Sequence, residues 1–285
     1  MAQIADLTEY EALQLQKLRA WKLDPPGPAA RGFARATGPA TRAMQAAIPV
    51  NALRKALNLA HQAGRRLADE QWVLKRARVA DAAGLQTLSL EALDQLTLTI
   101  QRRAMAMAGA GGMLFGVAGA AGLVADVPAL LVLALRSIHR LGLCYGEAST
   151  GAEEDRLAIG IFALASANTM AEKQTALSAL AGSAGGLILQ DAAWRDGIER
   201  AAERELAKEA AVMSLNNLAR QLGLNLGWRK AGGALPVIGA AVGGSVNAWY
   251  LYDVTRTAQF CYQERWLQRR YPEIASIRAL PASDS

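Results

Sequence analysis

Histidine, cysteine and aromatic side chains are scarce in this chain, and each scarcity narrows what the protein does. Only His61 and His139 occur among 285 residues, so a multi-histidine metal site within one chain is not expected, and neither a metal nor another cofactor is assigned. The two cysteines, Cys144 and Cys261, stand far apart in apolar surroundings. They exclude a disulfide framework and a CxxC metal knuckle, and read as buried free thiols. Aromatics make up 6% of the chain and do not interleave with basic residues, which argues against a single-strand nucleic-acid platform. Alternating β-branched runs are almost missing, so no strand is expected. No G-x-S-x-G elbow, Walker A loop, H-E-x-x-H or complete G-x-G-x-x-G is found. The opening residues Met1–Asp6 carry no basic stretch followed by an apolar one, so no signal peptide is expected and a cytoplasmic location is.

What the chain does have is Ala, Gly and helical periodicity. Apolar residues make up 52% and charged residues 20%. Small side chains let helix backbones approach closely. The expected fold is therefore all-α: a multi-helix bundle with two Gly/Ala-rich central segments packed like a glycine zipper. Thr8 and Glu11 form a candidate capping box for a helix over 8–23, stopped by Asp24-Pro25-Pro26. A second helix is expected over 29–46 and a basic amphipathic helix or pair over 50–79, with a break at Gly84. Ser89 reads as the N-cap of a long helix, interrupted at Asp126-Val127-Pro128 with Pro128 in the first turn of its successor. That successor runs to Gly146. Two helices share 153–181 with a break near Asn168, and helices over 187–222 and 253–270 follow. The chain divides into a basic helical region 1–88, a helical core 89–272 and a loose tail 273–285, which together are expected to make one domain.

Charge is uneven. Residues 1–80 hold thirteen Lys and Arg against six Asp and Glu, a net of +7 in a chain whose total is +6. A basic region of this kind can meet phosphate, either of lipid headgroups or of nucleic acid, although scattered charge more often reads as a solvated helix face. Ala104–Ala125 and Ala231–Tyr252 are each 22 residues without a charge, inside the wider apolar regions 104–145 and 231–252. A membrane span takes about 20 apolar residues. Gly112, Gly116, Gly119 and Gly122 in the first, and Gly239 and Gly243 in the second, offer close-packing faces. Trp228, Arg229 and Lys230 at one end of the second segment, and Trp249, Tyr250 and Tyr252 at the other, have the composition of interfacial anchors. Against a span, Ala and Gly bring little transfer free energy, because that energy scales with apolar area.

One polar constellation stands out. Arg136 and His139 share a helix face, Asp126 begins that helix as expected from sequence, Asp94 lies on the preceding one, and Asn247 is the counterpart of Asp126 in the second segment. If these five converge they form a polar cluster in an apolar bundle, with acid–base chemistry available to it. The plainer reading is a helix cap at Asp126 and one satisfied ion pair.

The run Ser89-Leu90-Glu91-Ala92-Leu93-Asp94, the block Asp126-Val127-Pro128-Ala129-Leu130, then Arg136-Ser137-Ile138-His139-Arg140 and Tyr145-Gly146 resemble the EcsC family. So do Leu235-Pro236-Val237-Ile238-Gly239-Ala240 with Asn247, and the earlier Trp21 and Ile48-Pro49. The resemblance covers nearly the whole chain. It implies a bacterial protein of unassigned activity, with a founding member encoded beside an ABC transporter, and it transfers no catalytic residue. The expected function is a membrane-associated accessory protein at the inner membrane, peripheral or partly inserted, whose partner is an anionic membrane surface or a membrane protein such as an ABC transporter. The alternatives are a hydrolase of lipid-like substrates built on Asp126 and His139, and a soluble protein-interaction module.

Overall fold

The computed structural model describes residues 7–26, 59–117, 120–147, 151–167, 169–181 and 228–272. Among these residues every regular element is a helix. The helices expected over 29–46 and 187–222 and the tail 273–285 lie outside the described residues.

Helix α1, Glu9–Leu23, begins as its sequence dictates. The Thr8 side chain accepts from the Glu11 amide, and the Glu11 carboxylate accepts from the Thr8 amide at 2.8 Å. Two of the four orphan donors of the first turn are thereby satisfied. Residues 59–66 are helical, and the chain then breaks at Asp69, which takes a left-handed φ of 58° and caps α2, Glu70–Ala77. An aspartate tolerates that conformation better than most residues. The region 50–79 is thus not one helix where it is described.

Helix α3, Ala82–Gln86, is capped by Asp81, which accepts from the Gly84 amide at 2.9 Å. Gly84 therefore lies inside a short helix and does not break one, contrary to the expectation from composition. The breaks fall on either side of that helix, at 78–81 and 87–89. There Ser89 caps α4, Leu90–Val117, by accepting from the Ala92 amide.

Helix α5 runs Ala120–Cys144. It passes through Asp126-Val127-Pro128 without interruption, so the expected break there is wrong, and Pro128 is not in a first turn. A mid-helix proline costs about 3 kcal/mol. A long helix packed on several neighbours draws its stability mainly from that packing, which absorbs such a cost. The uncharged stretch 104–125 is consequently shared between α4 and α5. The helix ends in a Schellman arrangement: Gly146 at φ 75° donates to Leu143, and Glu147 donates to Gly142 at 3.0 Å. Only glycine takes that φ without strain, so the Tyr145-Gly146 pair is a helix terminator by construction.

Helices α6, Ala152–Ala165, and α7, Met170–Ala181, divide 152–181 close to the expected place. Helix α8, Trp228–Arg270, is a single helix of 43 residues. It absorbs the second uncharged segment and the helix expected over 253–270, at about 1.5 Å of rise per residue. Its most extensive partner is α4, followed by α5 and α6. Leu93, Leu135, Ile138, Ile161, Leu251 and Leu267 are almost wholly excluded from solvent at these contacts. Cys144 and Cys261 are buried and form no disulfide among the described residues, as expected. Among the described residues no helix is long and apolar enough to cross a membrane.

Candidate functional site

The five polar candidates do not converge. Asp126 and His139 lie on the same uninterrupted helix, thirteen positions apart. At the rise of an α-helix that is about 20 Å along the axis, beyond hydrogen-bond reach of any side-chain pair. The Asp126 side chain lies outside the described residues. Asn247 is buried on α8, sixteen positions and about 24 Å of helix axis from the residue of α8 that meets Asp94. Arg136 points at backbone: its Nε donates to the Leu67 carbonyl at 2.9 Å. Beside it, buried Arg140 donates to the Ala68 carbonyl at 2.6 Å and stacks its guanidinium over Trp72 at 4.8 Å. The two arginines satisfy carbonyls left open where the helical residues 59–66 end. The polar residues instead form two separate junctions.

The first is built on Asp94, which is 3% exposed on α4. Its Oδ2 accepts from the Tyr10 hydroxyl of α1 at 2.7 Å. Its Oδ1 accepts a short hydrogen bond from the Tyr145 hydroxyl at the end of α5. The Gln263 side-chain amide of α8 donates to both oxygens, at 2.9 and 2.8 Å. Burial and the adjacent carboxylate push both phenols above their ordinary pKa, so they stay protonated and remain donors. No cation pairs with Asp94 among the described residues. Three donors thus make four contacts, two to each oxygen, and satisfy the carboxylate within the protein. Asp94 is a clamp between four helices.

The second junction joins His61, His139 and Asp155, and it is less complete. His61 Nε2 lies 3.0 Å from Asp155 Oδ1. Arg65 donates to the same carboxylate, at 3.0 Å to Oδ2 and 3.3 Å to Oδ1. The His139 ring lies 5.0 Å from the His61 ring, centroid to centroid. His139 is 8% exposed, and its Nε2 has no hydrogen-bond partner among the described residues. Burial, with His61 nearby, pushes the His139 pKa down to about 4, against an opposing pull from Asp155. The ring is therefore neutral at pH 7. Gly64 makes this meeting possible. A Cβ there would stand 2.7 Å from the Arg136 amide nitrogen, so only glycine lets the helical residues 59–66 lie this close against α5. Gly64 faces Arg136, and one turn away His61 faces His139.

A cleft of about 410 Å³ opens elsewhere, between α1, α7 and α8. Lys17, Trp21, Lys173, Tyr252, Arg256 and Phe260 are among its lining residues. Trp21 stacks on Phe260 at 4.8 Å, and the Lys173 ammonium sits 4.5 Å above the Trp21 ring. Lys173 also donates to the Asp24 carbonyl at 2.8 Å and to the Trp21 carbonyl, closing the end of α1. Burial lowers its pKa, while Asp24 counters the shift.

The expected anchors are sorted by the pitch of α8. Trp249 is 58% exposed and Tyr252 is 37% exposed, whereas Tyr250 is 5% exposed and belongs to the core. Tyr250 is thus not an anchor, because it falls on the face that packs inward. The side chains of Trp228, Arg229 and Lys230 lie outside the described residues, as does the packing of Gly112, Gly116, Gly122, Gly239 and Gly243; Gly119 lies outside them altogether. Sequence reasoning found Asp94 and His139 but missed Tyr10, Gln263, His61 and Asp155. Their partners lie 84 to 169 residues away around Asp94 and 90 or more around Asp155, and no local spacing encodes such pairs.

Helices joined by buried polar clamps, with one open junction and one basic aromatic cleft, define an all-α class of protein with no recognisable catalytic constellation among the described residues. The chain belongs to the EcsC protein family, whose family model matches residues 12–267. No curated protein and no solved structure matches it.

Proposed function

We propose that this protein is a membrane-associated accessory protein that docks on an anionic lipid surface at the cytoplasmic face of the inner membrane. The observation that carries the reading is the outward stripe on α8. Trp249 and Tyr252 stand three positions apart and exposed, and Arg256 follows one turn on with its guanidinium over the Tyr252 and Phe260 rings, at 5.9 and 5.0 Å. Amphipathic aromatic rings beside a cation suit the boundary between headgroups and acyl chains. Lys17 lies on the same cleft as Arg256, and exposed Leu23 ends the helix that bears it. The net +7 of residues 1–80 adds a long-range attraction to anionic lipid.

The test is co-sedimentation with vesicles of phosphatidylcholine alone or mixed with phosphatidylserine. Binding is expected only to the mixed vesicles and should fade as salt rises, since each surface cation contributes about 1 kcal/mol. The double variant W249A/Y252A should bind about tenfold more weakly, in line with lost aromatic burial at the interface. Equal recovery on both vesicle types, or an unchanged double variant, refutes the reading.

A further inference from the structure

We propose that His61, His139 and Asp155 form a binding site for one divalent transition-metal cation of the zinc type. The candidate ligand atoms, one from each residue, all lie within 4.8 Å of one another. They come from three separate elements: the helical residues 59–66, α5 and α6. Two imidazoles and one carboxylate make a familiar three-ligand set for zinc, with the fourth position left to solvent. Imidazole nitrogen also favours such ions over calcium or magnesium, which seek oxygen.

Two observations point to a ligand in addition to the grouping itself. The first is the His139 Nε2 atom, which is buried and unpartnered among the described residues. A buried polar atom without a partner is costly, and a metal bond would remove that cost. The second is the Gly64 contact, which holds the two rings at close range through backbone packing rather than through attraction between them. Zinc-bound nitrogens and oxygens stand about 2.0–2.2 Å from the ion, so the three groups must draw together slightly on binding.

Arg65 fits as an outer partner. Its shorter contact is to Asp155 Oδ2, while Oδ1 is the oxygen that faces His61. A ligating carboxylate is commonly oriented by such a hydrogen bond. The opposing charge of Arg65 is moderated by solvent, because its side chain is 34% exposed and that of Asp155 is 29% exposed. Bound in this way, the ion would cross-link the helical residues 59–66 to α5 and α6.

The experiment uses the full chain, stripped with chelator and titrated with zinc chloride by calorimetry and against a chromogenic zinc indicator. Cobalt chloride serves as a spectroscopic probe. One zinc per chain is expected, and cobalt should give the intense visible bands of a four-coordinate site. H61A and H139A should each lose more than the roughly 10- to 100-fold of affinity that outer-partner changes cost elsewhere. D155N tests the same site with little change of volume and should also bind more weakly. Circular dichroism checks that each variant is folded, and at least D155N is expected to be. No zinc bound at micromolar concentration overturns the proposal. So does binding that persists unchanged in folded D155N and in either folded histidine variant.

Discussion

The Asp94 junction and the His61–His139–Asp155 junction are both buried polar meetings of distant chain segments, yet they differ in completeness. Around Asp94 each carboxylate oxygen accepts from a phenol and from the amide that the two oxygens share. Around His139 a buried ring nitrogen has no partner among the described residues. A closed junction of this kind holds helices together and offers no chemistry. An open one leaves a buried ring nitrogen without a partner among the described residues, and such an atom is where a ligand can be gained. Completeness of hydrogen bonding separates the two roles better than burial does, since Asp94 and His139 are both inaccessible.

The largest expected effect is at the closed junction. Asp94→Ala strands the buried Tyr145 hydroxyl and the Gln263 amide, at about 1–3 kcal/mol for each unsatisfied group, so urea denaturation should show a loss of about 4 kcal/mol. A loss under about 1 kcal/mol would mean that the clamp is dispensable and the contrast with the histidines false.

The open junction should instead reveal itself through acid. His139 titrates near 4 when folded and near 6.5 when unfolded. Between those values the unfolded chain holds a proton that the folded chain lacks. Its contribution to stability is therefore intact above pH 6.5 and falls by on the order of 3 kcal/mol as pH drops to 4. Denaturation of metal-free protein at a series of pH values, compared with H139Q, checks this. The variant should show a flatter slope across that window, and parallel curves would assign the acid sensitivity elsewhere.

A smaller effect sharpens the picture within the closed junction. Tyr145→Phe removes a fully buried donor to a charged acceptor and should cost about 2 kcal/mol. Tyr10→Phe removes a half-buried donor that water replaces, and should cost less than about 1 kcal/mol. Reversal of that order in thermal or urea unfolding would place the mechanical centre of the clamp on α1 rather than at the end of α5.

Much of the fold was legible because its signals are local. The Thr8–Glu11 box, the Ser89 cap and the Gly146 stop each depend on residues within one helical turn, and each stands where the sequence indicates. The breaks at Gly84 and Pro128 were misread for the opposite reason. Glycine and proline lower helix propensity locally, but packing along a whole helix decides whether the helix survives. The site was less legible still. Asp94 and His139 were recognisable as polar residues in apolar helices, whereas their partners come from other parts of the chain. Counting histidines leaves Asp155 out of view, because such a count ignores the carboxylate that a third segment brings beside His61 and His139. Tyr250 was grouped with its aromatic neighbours by composition, although helical pitch turns it inward.

The clamp on Asp94 also carries a consequence for biogenesis. Its contributors sit at positions 10, 94, 145 and 263, so its last donor emerges from the ribosome after nearly the whole chain has been made. Until then the carboxylate has only its two phenol donors, and the junction cannot close before α8 is made. A chain that stops short of residue 263 therefore lacks the donor that ties the last helix to the other three, and with it the closed junction.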